Sequence, residues 1–185
     1  LLRVTGAHRW LVLLDDTGFS QIGCYGSDID TPNIDALAAD GVQFTNFHVT
    51  PLCSPTRASL LTGRSQHAVG MRTLSNFRTG FPNQLGHISN HAATVAEVLG
   101  QEGYATFCVG KWHLAPMEQG SAAGPFDQWP LGRGFNRFYG FVRSFYRLSV
   151  FHRISRGFYG FWRVVRLRGG FAECCVKIVF WFHSC

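Results

Sequence analysis

The chain has 185 residues and a net charge of +6, from 17 lysines and arginines against 11 acidic residues. This length allows one ordinary domain with a hydrophobic core of useful size. The six cysteines include neither a CxxC pair nor a zinc-ligand spacing, which argues against a disulfide framework and a structural zinc site. No apolar run is long enough to span a membrane, so we expect no transmembrane segment.

The positive charge is concentrated near the C-terminus. Residues 1–141 hold nine basic and ten acidic residues, whereas residues 142–185 hold eight basic residues and a single acid, Glu173. The basic balance therefore says little about what the first part binds, and we expect no nucleic-acid partner. The scattered cysteines and the lack of a signal-peptide pattern favour a cytoplasmic location, with a periplasmic or secreted one as the alternative if further residues precede Leu1.

The first predicted element is a strand over Trp10–Leu14, a continuous apolar run typical of a strand buried on both faces of a sheet. Asp15 and Asp16 follow at its C-terminal end, where open α/β sheets place ligands. Two carboxylates there suit calcium or magnesium, provided that the chain turns so that both reach one ion. A turn or helix-capping aspartate pair is the alternative.

A helix is predicted next, with Thr31 as its N-cap, Pro32 at its first position and an end near Asp40. The alternating, β-prone residues 42–49, VQFTNFHV, then predict a second strand that leads toward Cys53. His48 on this strand could approach a site there, or it could be a partly buried histidine with ordinary partners.

The segment from Cys53 to Arg64, CSPTRASLLTGR, predicts a helix that opens at or just after the cysteine. Ser54 is a good N-cap, and Pro55 fits the first helical position. The free N–H groups and the dipole of a helix start favour an anion. Arg57, one turn in, can turn back toward the same point. A buried structural cysteine is the alternative.

A capped helix is predicted over residues 94–100, TVAEVLG, and a third strand over residues 104–109, YATFCV. This strand leads into GKWHL, in which Lys111 and His113 can face the same side if the backbone stays extended. A solvated strand end is the alternative for this pair. Strands alternating with helices predict an α/β fold with a mostly parallel sheet flanked by helices.

Several of these motifs together resemble the sulfatase family. The segment at Cys53 matches C-x-P-x-R followed by T-G, and GKWHL, the aspartate pair, the TPN segment at residue 31 and GRGFNRFYGF at residues 132–141 also fit. The resemblance covers residues 11–141, the N-terminal part of a sulfatase catalytic domain. It implies an alkaline-phosphatase-like fold that is truncated here at its C-terminal side.

The resemblance also implies a mechanism. Cys53 would be oxidised to formylglycine by a maturation enzyme, and the hydrated aldehyde would attack the sulfur of a small-molecule sulfate ester. Arg57, Lys111 and His113 would complete the catalytic set. Asp15, Asp16 and the converted Cys53 would ligate a divalent cation, calcium rather than magnesium.

We therefore expect a sulfuric ester hydrolase of the arylsulfatase type. One alternative is a phosphonate or phosphodiester hydrolase of the same superfamily, and another is a catalytically inactive fragment. Residues 142–185 alternate arginine with aromatic residues and lack Asp and Pro. A frame-shifted or otherwise non-native sequence is our interpretation of this tail, with a nucleic-acid-binding arm or an interfacial membrane segment as alternatives.

Overall fold

The computed structural model describes residues 8–121, 123–142 and 176–184. Four strands form one sheet: β1 (His8–Leu14), β2 (Tyr104–Lys111), β3 (Arg137–Phe141) and β4 (Val176–Ser184), in the spatial order β1-β4-β2-β3. Three helices accompany them: α1 (Pro32–Asp40), α2 (Cys53–Thr62) and α3 (Val95–Gln101). The described part is therefore α/β, as the sequence predicts.

The sequence predicts a mostly parallel sheet, and the sheet of the described residues is mixed. β2 and β3 pair in parallel, while β4 pairs antiparallel with both β1 and β2. β1, β2 and β3 consequently run in the same direction, with β4 reversed between β1 and β2. β3 and β4 were not predicted as strands. Residues 143–175 and 185 of the predicted tail, and residues 1–7, lie outside the described residues.

The strand predicted over residues 42–49 is wrong, because this segment has no regular structure. Its apolar positions shift by one between Phe44 and Phe47, so no single face of a strand would be apolar. Within the described residues no strand pairs with it. It is held instead by side-chain hydrogen bonds, in which Tyr25 Oη donates to the carbonyl of Phe44 and Gln43 Nε2 donates to the carbonyl of Cys24.

Two of the three α-helices start where the sequence predicts. α1 begins at Pro32, after Thr31, whose hydroxyl makes no capping bond and donates instead to Oδ1 of Asp35. α3 is capped by Thr94, whose hydroxyl accepts from the amide of Glu97 while the Glu97 carboxylate accepts from the amide of Thr94. α2 differs, because its N-cap is Leu52 and its first residue is Cys53. Ser54 lies inside the first turn and is not the cap.

The core lies between one face of the sheet and the helices α2 and α3, whereas α1 has no buried residue. Leu11 and Leu13 of β1 pack against it, whereas Trp10 and Val12 are about half exposed. The expected burial of β1 on both faces is therefore wrong for the described residues, which cover one face. The buried apolar side chains include Ala58, Leu61, Met71, Ile88, Ala96, Cys108, Trp112 and Phe138. Among the described residues, no helix combines the length and hydropathy that crossing a bilayer requires.

The backbones of β2 and β3 approach so closely at one pair of glycines that a side chain there should destabilise the fold. Gly140 lies opposite Gly110, and a Cβ on Gly140 would overlap the Gly110 carbonyl oxygen. We expect Gly140→Ala to lower the free energy of unfolding, measured in urea, by roughly 1–3 kcal/mol. The control is Gly100→Ala in α3, where a Cβ meets nothing within 4 Å and helix propensity should add about 0.5 kcal/mol. A Gly140→Ala protein as stable as the parent would contradict this pairing.

Candidate active site

The buried carboxylate of Asp15 lies directly after the last residue of β1. Asp15 is 7 % exposed, and each of its two oxygens accepts a hydrogen bond from a different cation. Oδ1 accepts from Nη2 of Arg57 at 2.8 Å, and Oδ2 accepts from Nζ of Lys111 at 2.8 Å. Asp15 therefore joins the end of β1 to the first turns of α2 and to the last residue of β2.

The electrostatics of this group favour the ionised carboxylate. Burial by itself raises the pKa of Asp15, but the hydrogen bonds and the charges of Lys111 and Arg57 outweigh it and lower the pKa to about 2. Asp15 thus carries a full negative charge at neutral pH. Two buried cations against one carboxylate give this three-residue group a net charge of +1, which is an electrostatic basis for binding an anion nearby.

The second half of the site is the contact between Cys53 and His113. Cys53 is the first residue of α2, at the helix start that its motif predicts, and it is partly exposed. Its Sγ lies 3.1 Å from Nδ1 of His113, which is buried. A thiol and an imidazole at this distance can share a proton. His113 follows β2 by two residues, so the end of β2 supplies both Lys111 and His113 to the site.

Arg57 binds two neighbouring segments. Its Nη2 donates to Oδ1 of Asp15, and its Nη1 donates to the carbonyl oxygen of Lys111 at 2.7 Å. The residue is 1 % exposed. Arg57 therefore ties α2 to the end of β1 and to the last residue of β2, and its expected reach toward the helix start stays a prediction.

Asp16 meets the requirement that the chain turn after β1. It adopts φ = 55°, in the left-handed region, immediately after Asp15, and it is exposed. The two carboxylates have the donor chemistry of a hard cation. However, the described residues contain no group of three or more His, Cys, Asp or Glu side chains that could hold a metal.

His48 is not brought to the site. It is exposed, and its Nε2 lies 2.6 Å from Oδ1 of Asn46. Two features of the site were absent from the sequence interpretation. One is the double ion pair of Asp15, which joins residues 42 and 96 positions apart. The other is the Ser54 hydroxyl, which donates to the carbonyl oxygen of His113 at 2.7 Å. Neither leaves a local sequence signal.

The double ion pair makes a stability prediction. Asp15→Asn leaves two buried cations around a neutral amide, so we expect the free energy of unfolding at pH 7 to fall by about 3–5 kcal/mol. The control is Glu118→Gln. Glu118 pairs with Arg78 on the surface, with side chains 54 % and 60 % exposed, so its loss should cost less than about 1 kcal/mol. Equal losses in the two variants would contradict the buried pair.

The same group makes a pH prediction. The folded pKa of Asp15, about 2, lies below its ordinary value of 3.8, so the stabilisation is present above pH 4 and is lost as the pH falls toward 2. The shift corresponds to about 2 kcal/mol. Urea titrations across this range should show an acid-dependent loss in the parent that Asp15→Asn lacks. Identical acid slopes in the two proteins would contradict it.

Comparisons with known proteins identify the family of this chain. The sulfatase family model matches residues 8–149. The chain is 42 % identical over 136 residues to human arylsulfatase A, covering 72 % of this chain and 25 % of that protein. It is 42 % identical over 135 residues to human steryl-sulfatase, covering 70 % and 22 %. The crystal structure of Ps i-CgsB superimposes with a TM-score of 0.61 and 32 % identity, covering 72 % and 27 %.

The chain thus matches about a quarter of the length of these relatives. The matched range contains the buried group around Asp15 and the contact between Cys53 and His113. From the family model and the relatives at about 40 % identity, the chain belongs to the sulfatase family, whose members hydrolyse sulfuric esters.

Proposed function

We propose that this protein hydrolyses a sulfate monoester of the aryl type, with residue 53 as the nucleophile. The observation that carries the proposal is the contact between Cys53 and His113 beside a buried group with a net charge of +1. A sulfate ester is an anion whose negative charge shifts toward the leaving oxygen during cleavage. A fixed positive charge in a buried setting stabilises such a transition state.

Each residue has a distinct task in this proposal. Lys111 and Arg57 offset the charge of the sulfate oxygens, while Asp15 fixes the position of both cations. The start of α2 presents Cys53 and its backbone N–H groups to the anion. His113 faces residue 53 through Nδ1, so it can accept a proton from that residue and return it in a later step.

The nucleophile requires a modification of Cys53. We propose that a maturation enzyme oxidises its thiol to the aldehyde formylglycine, the group that the family resemblance implies. The hydrated aldehyde would supply one hydroxyl for attack on sulfur and a second for release of the sulfate. Cys53 lies at a helix start and is partly exposed, so the modified side chain would face solvent and substrate.

Calcium is part of the proposal through Asp15 and Asp16. These residues would hold the ion together with donors beyond the described residues, and the ion would polarise the sulfate oxygens as a Lewis acid. Since both oxygens of Asp15 already bind Lys111 and Arg57, an arriving ion would have to share that carboxylate with them. We also propose that the complete catalytic domain has an alkaline-phosphatase-like fold.

The enzymatic prediction concerns the converted protein. The chain would be coexpressed with a formylglycine-generating enzyme, and conversion of Cys53 would be verified by peptide mass spectrometry. We then expect hydrolysis of an aryl sulfate, a loss to background in Cys53→Ala, and a fall in kcat of about 10²–10³ in Lys111→Ala. Hydrolysis that survives Cys53→Ala would contradict residue 53 as the nucleophile.

The control variant for this assay is Arg78→Ala, which removes a cation from an exposed pair outside the site. It should leave the rate unchanged. A matched aryl phosphodiester and an aryl phosphonate ester test the phosphorus alternative, and a higher kcat/KM for either would replace the sulfate assignment.

Calcium binding makes a separate prediction. Two carboxylates without a full cage should bind calcium weakly, in about the millimolar range. We expect added calcium to raise the Tm of the chain, and Asp16→Asn to remove most of this rise because it takes away the exposed carboxylate. The control is Asp40→Asn at the end of α1, which should keep the parental response. An Asp16→Asn protein with an unchanged calcium shift would place the ion elsewhere.

A second candidate is that these 185 residues do not turn over substrate by themselves. It is favoured by the coverage, since the relatives are about four times as long as the matched region, and by the incomplete metal cage of the described residues. A folded, converted chain that shows no hydrolysis with saturating calcium would support this candidate.

A further inference from the structure

The Ser54 hydroxyl links three parts of the site. Ser54 is fully buried in the first turn of α2, next to Cys53. Its Oγ donates to the carbonyl oxygen of His113 at 2.7 Å and accepts from the amide of Ser75 at 3.3 Å. One hydroxyl thus joins the start of α2, the segment after β2 and the loop that contains Ser75.

The partner of Ser54 has a strained backbone. His113 adopts φ = 55°, and Asp16 is the one other non-glycine residue with a positive φ in the described ranges. Such a conformation costs about 1 kcal/mol or more in a residue with a Cβ, and it persists where the surroundings impose it. The amide of His113 donates to the carbonyl of Val142 at 2.9 Å, and its carbonyl accepts from Ser54. Both of its backbone polar groups are therefore held.

The backbone conformation determines where the imidazole points. With φ near 55°, Nδ1 of His113 lies 3.1 Å from Sγ of Cys53. An extended backbone at this position would carry the ring in another direction. Because Ser54 is adjacent to Cys53, its bond fixes the His113 backbone directly to the helix turn that carries Cys53.

We propose that Ser54 is a positioning residue, which holds the backbone of His113 in its left-handed conformation and thereby sets the imidazole against residue 53. This inference deepens the proposed function, since His113 would act on the converted side chain. The inference can be tested without enzymatic turnover, because the experiment measures how fast the unmodified Cys53 thiol reacts with an alkylating reagent. The proposed reaction could therefore fail while this inference stands, and the reverse is also possible.

A double-mutant cycle isolates the positioning role. The chain is produced without a maturation enzyme, and the alkylation rate of Cys53 by iodoacetamide at pH 7 is followed by mass spectrometry. Nδ1 of His113 lies 3.1 Å from Sγ and can accept the thiol proton as the sulfur attacks the reagent, so we expect His113→Ala to slow Cys53 by about 10-fold. Ser54→Ala should slow it to a similar extent. The double variant should be no slower than either single variant, since Ser54 acts through His113.

The chain supplies its own controls. Cys24 is partly exposed in another segment, and its alkylation rate should be the same in all variants. Ser59→Ala removes another hydroxyl of α2, which donates to Oε1 of Gln66 at 3.3 Å, and it should leave the Cys53 rate unchanged. Ser54→Thr retains a hydroxyl and should stay within about twofold of the parent.

Alkylation of Cys108 shows whether a variant has unfolded. It is 1 % exposed, so its alkylation reports unfolding. Cys53 labelling is counted in intact molecules whose Cys108 remains unlabelled, which restricts the comparison to folded protein even if Ser54→Ala lowers stability. Two outcomes would overturn the proposal. One is that folded Ser54→Ala protein alkylates Cys53 at the rate of the parent. The other is that the double variant is slower than His113→Ala by the same factor by which Ser54→Ala alone slows the parent.

Discussion

The carboxylate of Asp15 is the constraint on which the site depends. Two buried cations in an apolar interior would be strongly destabilising without a counter-charge. Asp15 supplies it to Arg57 and Lys111 together, across separations of 42 and 96 positions. The end of β1 thereby fixes α2 and the end of β2 relative to each other. Once these two ends are fixed, Cys53 and His113 come into contact. Cys53 lies about one helical turn before Arg57, and His113 lies two residues after Lys111.

The same arrangement explains the electrostatic character of the site. One carboxylate does not neutralise two cations, so this three-residue group has a net positive charge that favours an anionic ligand. In our proposal a divalent cation would also bind Asp15, and it would share the same two oxygens with Lys111 and Arg57. Metal binding and the positions of the two cations would therefore be coupled through a single side chain. Asp16 follows directly and is exposed.

The success of the sequence prediction varied with the range of the interactions involved. β1, β2, α1 and α3 follow from apolar runs and from caps that act within a few residues, such as the reciprocal bonds of Thr94 and Glu97. The strand predicted over residues 42–49 failed because a strand needs a partner, and the described residues provide none there. β3 and β4 were missed for the opposite reason: each is established by its neighbours in the sheet, and neither has a clear period of its own.

By itself the sequence determined the family, and it predicted the residues that would carry its chemistry. The motifs around Cys53 and Lys111 are short, so their residues can be recognised without knowing the fold. Only the tertiary structure decided how these residues meet. It directed Arg57 toward Asp15, made Ser54 a partner of His113 rather than a cap, and gave His113 a left-handed backbone. These contacts join distant segments, and long-range pairing leaves no pattern in the local sequence.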